Sequence, residues 1–501
     1  MTQSRRGFFK QAALSTEALL TRPPAGDLIQ RENARPGTPG WLLSRVMIAN
    51  FGKSPGYRSL FIEGYCSRQS VEAGETLDIM VSTNPPARFQ IEIFRMGYYG
   101  GLGARRMATL GPFQGKVQPD PEIGPNRLRE CRWEPAAQVK IPAGWPSGVY
   151  LGRLTILPET ATEGPWQSFV IFIVRDNRPA DILLQSSDNT WQAYNRWPDD
   201  YSFYTDPRGA HSPGTEVSFD RPYGKSVHGN NPQSVGSGEF LLLEFPLCYW
   251  LEKHGYDVTY CSNSDMLSPA RAARCKVFIS VGHDEYWDPR QYDSAKAAIA
   301  SGTSEFYLCG NSVSIIAPFR ESADGRPNRI IRHGGRYGGR TENEKRRNVV
   351  FEMDGPDEAL LIGARTVYPA NGGGDWIVTK PDHWMFEGAG VKRGDRIPGL
   401  VGWEFHGEPA GLPGLEVVAE GIALKPGSRE SAHWTATIYP GPKRNFVFNA
   451  ATIWWAQGLA SPPGHRLPWE HGATPQGPDE RVQRITHNLL RRALAAGGRL
   501  K

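Results

Sequence analysis

The sequence predicts two folded parts: an all-β, immunoglobulin-like antiparallel sandwich followed by an open α/β domain. Between 45 and 178, short segments alternate apolar and polar residues at period two, with turn signals between them. Beyond 179 the pattern changes to short apolar strands alternating with helical stretches. Glycine (56) and proline (41) are abundant in the 501 residues, which favours many turns.

Residues 1–44 form a polar, Arg- and Pro-rich tail. Within it, Ser4-Arg5-Arg6-Gly7-Phe8-Phe9-Lys10 resembles a twin-arginine export signature. The following Ala12–Leu20 stretch is short and holds Glu17, and no good cleavage site follows. The expectation is a vestigial signal on a cytoplasmic protein, or a periplasmic one if the signal works.

In the first folded part, Glu75–Val81 and Phe89–Phe94 alternate as half-buried strands do, and Val149–Ile156 and Trp166–Val174 follow. Gly100-Gly101 and Pro146-Ser147-Gly148 mark turns. Arg175-Asp176-Asn177-Arg178-Pro179 reads as a junction. In the second part, Ile182–Leu184, Val258–Tyr260, Val277–Val281 and Phe306–Leu308 read as strands. Glu239–Lys253 reads as a helix. A second helix starts at the N-cap Asp288, followed by Pro289, and ends at Gly302. This order predicts a mainly parallel sheet. Val482, Ile485, Leu489 and Leu490 mark a closing amphipathic helix. Two insertions interrupt the domain: 196–236, and 318–348 with eight arginines. The second reads as a solvated loop or subunit contact, or as an anion-binding lid.

The net charge of +5 does not point to nucleic acid, and no run of 18 apolar residues marks a membrane span. The six cysteines lack C-x-x-C spacing and read as mostly reduced and buried. The 11 histidines show no H-x-x-H or H-E-x-x-H spacing, so zinc is disfavoured.

In open α/β sheets, ligands collect at the carboxyl ends of the strands. Three strand ends here deliver polar clusters: Gln185–Asn195, Gly282-His283-Asp284-Glu285-Tyr286-Trp287, and Cys309-Gly310-Asn311-Ser312. Phe94–Arg105 carries an R-x-G-Y-Y-G-G-x-G-A-R stretch. Trp145–Tyr150, Thr190–Asn195, Gly282–Trp287 and Gly399–Glu404 follow it in order. Together these five motifs resemble the N,N-dimethylformamidase large (beta) subunit family, over about residues 45–495.

That resemblance implies an α/β domain like class I glutamine amidotransferases and a mononuclear Fe3+ held by two tyrosines and one glutamate. Carried over motif by motif, the ligands are Tyr150, Tyr194 and Glu285, with His283, Asn311 and Glu404 as surrounding catalytic groups. It implies hydrolysis of a small amide by metal-activated water, and leaves self-association and a small partner subunit open. The lectin-like domain of larger members has no room in the residues ahead of the sandwich. Ferric iron is a hard Lewis acid suited to phenolate and carboxylate oxygen.

Each residue also has a plain structural reading. Tyr150 could be a sandwich core or corner tyrosine, Tyr194 a packing aromatic, and Glu285 an arginine partner. His283 could orient a loop, and Asn311 could cap a turn. Trp191 and Trp287 read as walls of the substrate pocket or as core. Two rival functions stay open: a non-catalytic binding or scaffold protein, and a cysteine hydrolase using Cys309.

Overall fold

A computed structural model describes residues 27–47, 57–157, 165–205, 215–224, 231–332, 335–338, 354–367, 371–470 and 472–496. The twin-arginine-like segment lies outside the described residues. So do parts of both insertions.

The chain is a mixed α/β protein, rich in sheet and sparing in helix. Ile62–Cys66, Thr76–Thr83 and Pro135–Lys140 form a three-stranded antiparallel sheet. Ser70–Glu72, Gln167–Arg175, Gly148–Ile156, Arg88–Met96 and Ala104–Gln114 form, in that order, a five-stranded sheet, antiparallel except for the parallel edge strand Ser70–Glu72. The inward residues of both sheets share one core: Ile62, Leu77 and Ile79 from the first meet Ile91, Leu154 and Phe172 from the second. Period-two alternation supplies these apolar faces. Burying each such side chain contributes about 1.5–3 kcal/mol.

The second layer is a nine-stranded mixed sheet. Its parallel half runs Val258–Cys261, Ile182–Gln185, Val277–Gly282, Ser304–Cys309 and Phe446–Asn449. The four remaining strands, Ser431–Pro440, Glu416–Leu424, Gly372–Ile377 and Arg396–Trp403, are antiparallel. A mainly parallel sheet is therefore only half correct. Across this half each strand is antiparallel to the one beside it, as direct pairing without βαβ crossovers allows. Four reversals across the sheet from Phe446–Asn449 bring Arg396–Trp403 back to the direction of the parallel strands, and its carboxyl end falls on their side. Thr452 draws that strand toward the parallel half: its Oγ1 donates to Leu400 O at 2.7 Å and accepts from Gly402 N at 3.3 Å.

The helices follow their capping chemistry. Pro289–Ser301 begins at Asp288 with a full capping box and ends at Gly302 with φ 110°. The expected Glu239–Lys253 helix is instead a π-turn, Phe240–Glu244, leading into an α-helix, Phe245–Lys253. Pro246 lacks an amide proton, so a regular α-helix cannot run through it and restarts there. Glu480–Ala496 packs Val482, Ile485 and Leu489 inward.

A buried ion pair joins the two layers. Arg95, on a sandwich strand, donates from Nη2 and Nη1 to the two carboxylate oxygens of Glu252 at 2.8 and 2.9 Å. Both side chains are fully buried. Tyr260 and Asn33 also donate to Glu252, and Ser147 O takes further guanidinium protons. The charges are thus saturated with partners, as burial requires.

Candidate active site

The carboxyl edge of the parallel strands gathers the functional groups. Val277–Gly282 ends at Gly282 with φ 75°, where a Cβ would sit 2.9 Å from Leu243 Cβ. Asp284 then turns inward and accepts from Gln185 Nε2 (2.6 Å), Ser280 Oγ (2.8 Å) and Asn263 Nδ2 (3.1 Å). These bonds pin the loop to its neighbouring strands. Extended alternation then leaves its flanking residues, His283 and Glu285, together on the other side. Thr190 Oγ1 accepts from the Glu285 amide at 3.0 Å. Tyr194 lies one turn further along the same helix, on the same face.

The side chains converge. Tyr194 OH donates to Glu285 Oε2 at 2.9 Å and lies 3.4 Å from Tyr204 OH. His283 Nε2 is 2.9 Å from Glu404 Oε2 and 3.4 Å from Glu285 Oε2, and its Nδ1 is 3.9 Å from Glu239 Oε2. Asn311 Nδ2 donates to Glu404 Oε2 at 3.1 Å. One ligand atom each from His283, Glu285 and Glu404 lies within 4.8 Å of the others. Tyr204 OH also hydrogen-bonds Tyr286 OH. The Arg332 guanidinium lies 4.6 Å from the Tyr204 ring centroid.

Burial sets the electrostatics. It would pull His283 down, but the Glu404 and Glu285 carboxylates outweigh it and hold the imidazole well above its usual value. Burial and the Glu285 charge push Tyr194 up. Burial pushes Tyr204 up to about 12, against the pull of Arg332.

The strand Ser304–Cys309 leads into Gly310, where an added Cβ would sit 2.1 Å from Glu404 O. Only glycine lets the two chain segments pass so closely. Asn311 (φ 50°) and Val313 (φ 52°) are both left-handed. The Ser312 amide donates to His406 Nε2 at 3.0 Å, and His406 Nδ1 meets Asn449 Oδ1 at 2.9 Å. Burial lowers His406 to about 4, so the ring is neutral.

Tyr194, His283, Glu285, Asn311 and Glu404 are therefore brought together, and Tyr150 is not. Its hydroxyl donates to Pro146 O at 2.7 Å, and its ring stacks between Trp145 and Phe172 in the sandwich core. The strand's inward alternation accounts for its orientation. Trp287 is interior packing, and Trp191 lines a separate cleft with Asp188, Arg221 and Tyr223 that includes none of Tyr194, His283 or Glu285. Trp191 Nε1 donates to Glu244 at 3.0 Å, and Trp287 packs beside Phe278 and Tyr307. The Cys309 thiol is buried, and burial pushes it up to about 12, the opposite of what a nucleophile needs.

Sequence reasoning missed Tyr204, Tyr286, Glu239, Arg332 and His406. Tyr286 stood inside a quoted motif. Arg332 belongs to the Arg-rich insertion, whose described part reaches the site rather than only solvent. Tyr204 lies in the other insertion and carried no local signal.

Compared with known proteins, residues 90–469 match the family described as N,N-dimethylformamidase beta subunit-like, C-terminal. The chain belongs to that family. No curated protein matches it. As a member of the dimethylformamidase beta subunit-like family, it falls among dimethylformamidase-like hydrolases, and the family's subunit description suggests a partner subunit. Among the described residues, no helix is long and apolar enough to cross a membrane.

Proposed function

We propose that this dimethylformamidase-like protein is an iron-dependent amidohydrolase that cleaves the C–N bond of a small N-substituted amide. We also read its paired sheets as an immunoglobulin-like sandwich and its mixed sheet as amidotransferase-like. The observation that carries the functional reading is the meeting of Tyr194, Glu285, His283, Glu404 and Asn311 at one strand edge.

The donor set fits a hard trivalent cation. Tyr194, Tyr204 and Glu285 place three oxygens together, all anionic once the phenols ionise, and these are the residues that would hold ferric iron. Tyr204 replaces Tyr150 in this reading. Glu285 opposes ionisation of both phenols, so a cation is the partner that would permit it. When bound, the ion supplies Lewis-acid polarisation of the amide carbonyl and lowers the pKa of water.

The remaining steps belong to the protein. Glu404 takes a proton from the attacking water as the new C–O bond forms. His283, 2.9 Å away and favoured as imidazolium by two carboxylates, gives its proton to the departing amine nitrogen as the C–N bond breaks. The proton on Glu404 then returns to His283. Asn311 Nδ2 donates to the developing oxyanion, a contact of the kind worth roughly 3–4 kcal/mol. Its buried Oδ1 has no partner among the described residues, which leaves an acceptor for water or substrate.

The test is metal quantification, a visible spectrum and turnover of N,N-dimethylformamide by the purified protein. Stoichiometric iron, a phenolate-to-iron charge-transfer band and release of dimethylamine are expected. Protein that contains no iron, or that contains iron but hydrolyses no amide, would sink the reading.

A further inference from the structure

The segment Gly310–Val313 presents Asn311 to Glu404 in a conformation that the chain does not prefer. Asn311 and Val313 both have left-handed φ, and the β-branched Val313 fits that region badly. Such a loop keeps its shape only if the surroundings hold it. The Asp284 carbonyl accepts from Val313 N at 3.2 Å, the Glu285 carbonyl accepts from Ser314 N at 3.0 Å, and a single buried imidazole grips the amide between Asn311 and Val313.

The polarity of that grip is fixed from outside. Ala451 N donates to Asn449 Oδ1 at 2.9 Å, so this oxygen is an acceptor and the amide orientation is set. The same oxygen meets His406 Nδ1 at 2.9 Å, so Nδ1 must carry the proton. The neutral ring then has a bare Nε2, which accepts from Ser312 N at 3.0 Å. His406 is fully buried.

We propose that His406, locked by Asn449 as the Nδ1–H tautomer, is the positioning residue that holds Asn311 in place for the oxyanion. It rests on the amidase reading for its catalytic consequence, but the tautomer does not depend on that reading. The chemistry needs an acceptor at the Nε2 position. A donor there would face the Ser312 proton and expel the loop, carrying the Asn311 amide off Glu404.

Two substitutions separate this role from volume filling. In His406→Gln the side-chain oxygen reaches the Nε2 position and can still accept from Ser312, whereas the shorter His406→Asn can meet only Asn449. In the full-length protein with N,N-dimethylformamide, the Asn variant is expected to lose about 100-fold in kcat with KM little changed. The Gln variant should retain most of the wild-type kcat, and Asn311→Ala should add little in the Asn background. Imidazole 15N NMR of the wild type, with the His406 signal assigned by its loss in His406→Gln, should show a protonated Nδ1 and a bare Nε2. Equal losses in the Gln and Asn variants, or a ring protonated at Nε2, would overturn the proposal. An inactive wild type is a different result: it refutes the amidase reading, and with it this residue's part in catalysis, while the NMR still decides the tautomer.

Discussion

Glu404 accepts a hydrogen bond from Asn311 at 3.1 Å although 93 positions separate them in the chain. The same carboxylate oxygen lies 2.9 Å from His283 Nε2, so one atom joins the amide donor to the imidazole. Three loops are thereby registered against each other by a single side chain.

Replacing that carboxylate by an amide keeps the shape and removes the base. Glu404→Gln is expected to lower kcat by about 100-fold or more, within the range for a positioned acid–base group. Its iron content should match the wild type, because Glu404 is outside the proposed ligand set. Parallel metal quantification and steady-state kinetics check this, and loss of iron together with activity would move Glu404 into the ligand shell.

Two tyrosines separate the proposed ligand set from the one inferred from sequence. Tyr204→Phe should weaken or shift the visible band and reduce bound iron. Tyr150→Phe should leave both unchanged and cost about 1–3 kcal/mol of stability by stranding the buried Pro146 carbonyl. A spectrum that changes in the Tyr150 variant and not in the Tyr204 variant would restore the original assignment.

Gly310→Ala tests the close passage at the site. Its new Cβ would meet Glu404 O at 2.1 Å, and both partners are backbone or attached directly to it. Relief requires the Asn311 loop to move away from Glu404. A stability loss of about 1–3 kcal/mol and a fall in kcat are expected, measured by urea unfolding and kinetics. An alanine variant with wild-type kcat would show that the juxtaposition is not needed.

Glu305 makes stability depend on pH. It is fully buried within the central sheet, accepts from Tyr307 OH at 2.7 Å, and is pushed by burial up to about 8. The folded state therefore keeps a proton that the unfolded chain releases near its ordinary value of about 4.3. Between about pH 4.5 and 8 the folded state binds more protons, so this group's contribution falls as pH rises through that window. Urea midpoints at about pH 5 and about pH 9 should differ less in Glu305→Gln than in the wild type. An unchanged difference would place the ionisation elsewhere.

Much of the site was legible because its residues follow strands directly. His283 and Glu285 flank a residue that must turn inward, and Asn311 follows the next strand end. Glu404 was legible only through its motif, since its arrival depends on four successive strand reversals across the sheet. Tyr204 was not legible at all. It approaches Tyr194 through tertiary packing of an irregular segment, which leaves no periodic trace. Tyr150 misled because a phenol at a strand's inner face looks alike whether it binds a metal or a backbone carbonyl. The mixed character of the main sheet was also hidden, because local apolar runs do not reveal strand direction.

The Arg95–Glu252 pair has a consequence for cutting or exchanging either half. Cutting one layer away from the other would leave an unpaired charge on the freshly exposed face. A shortened gene product beginning near 179 would carry Glu252 and Tyr260 with no guanidinium to answer them. Swapping either half for another sequence's copy would need both ends of that pair to match.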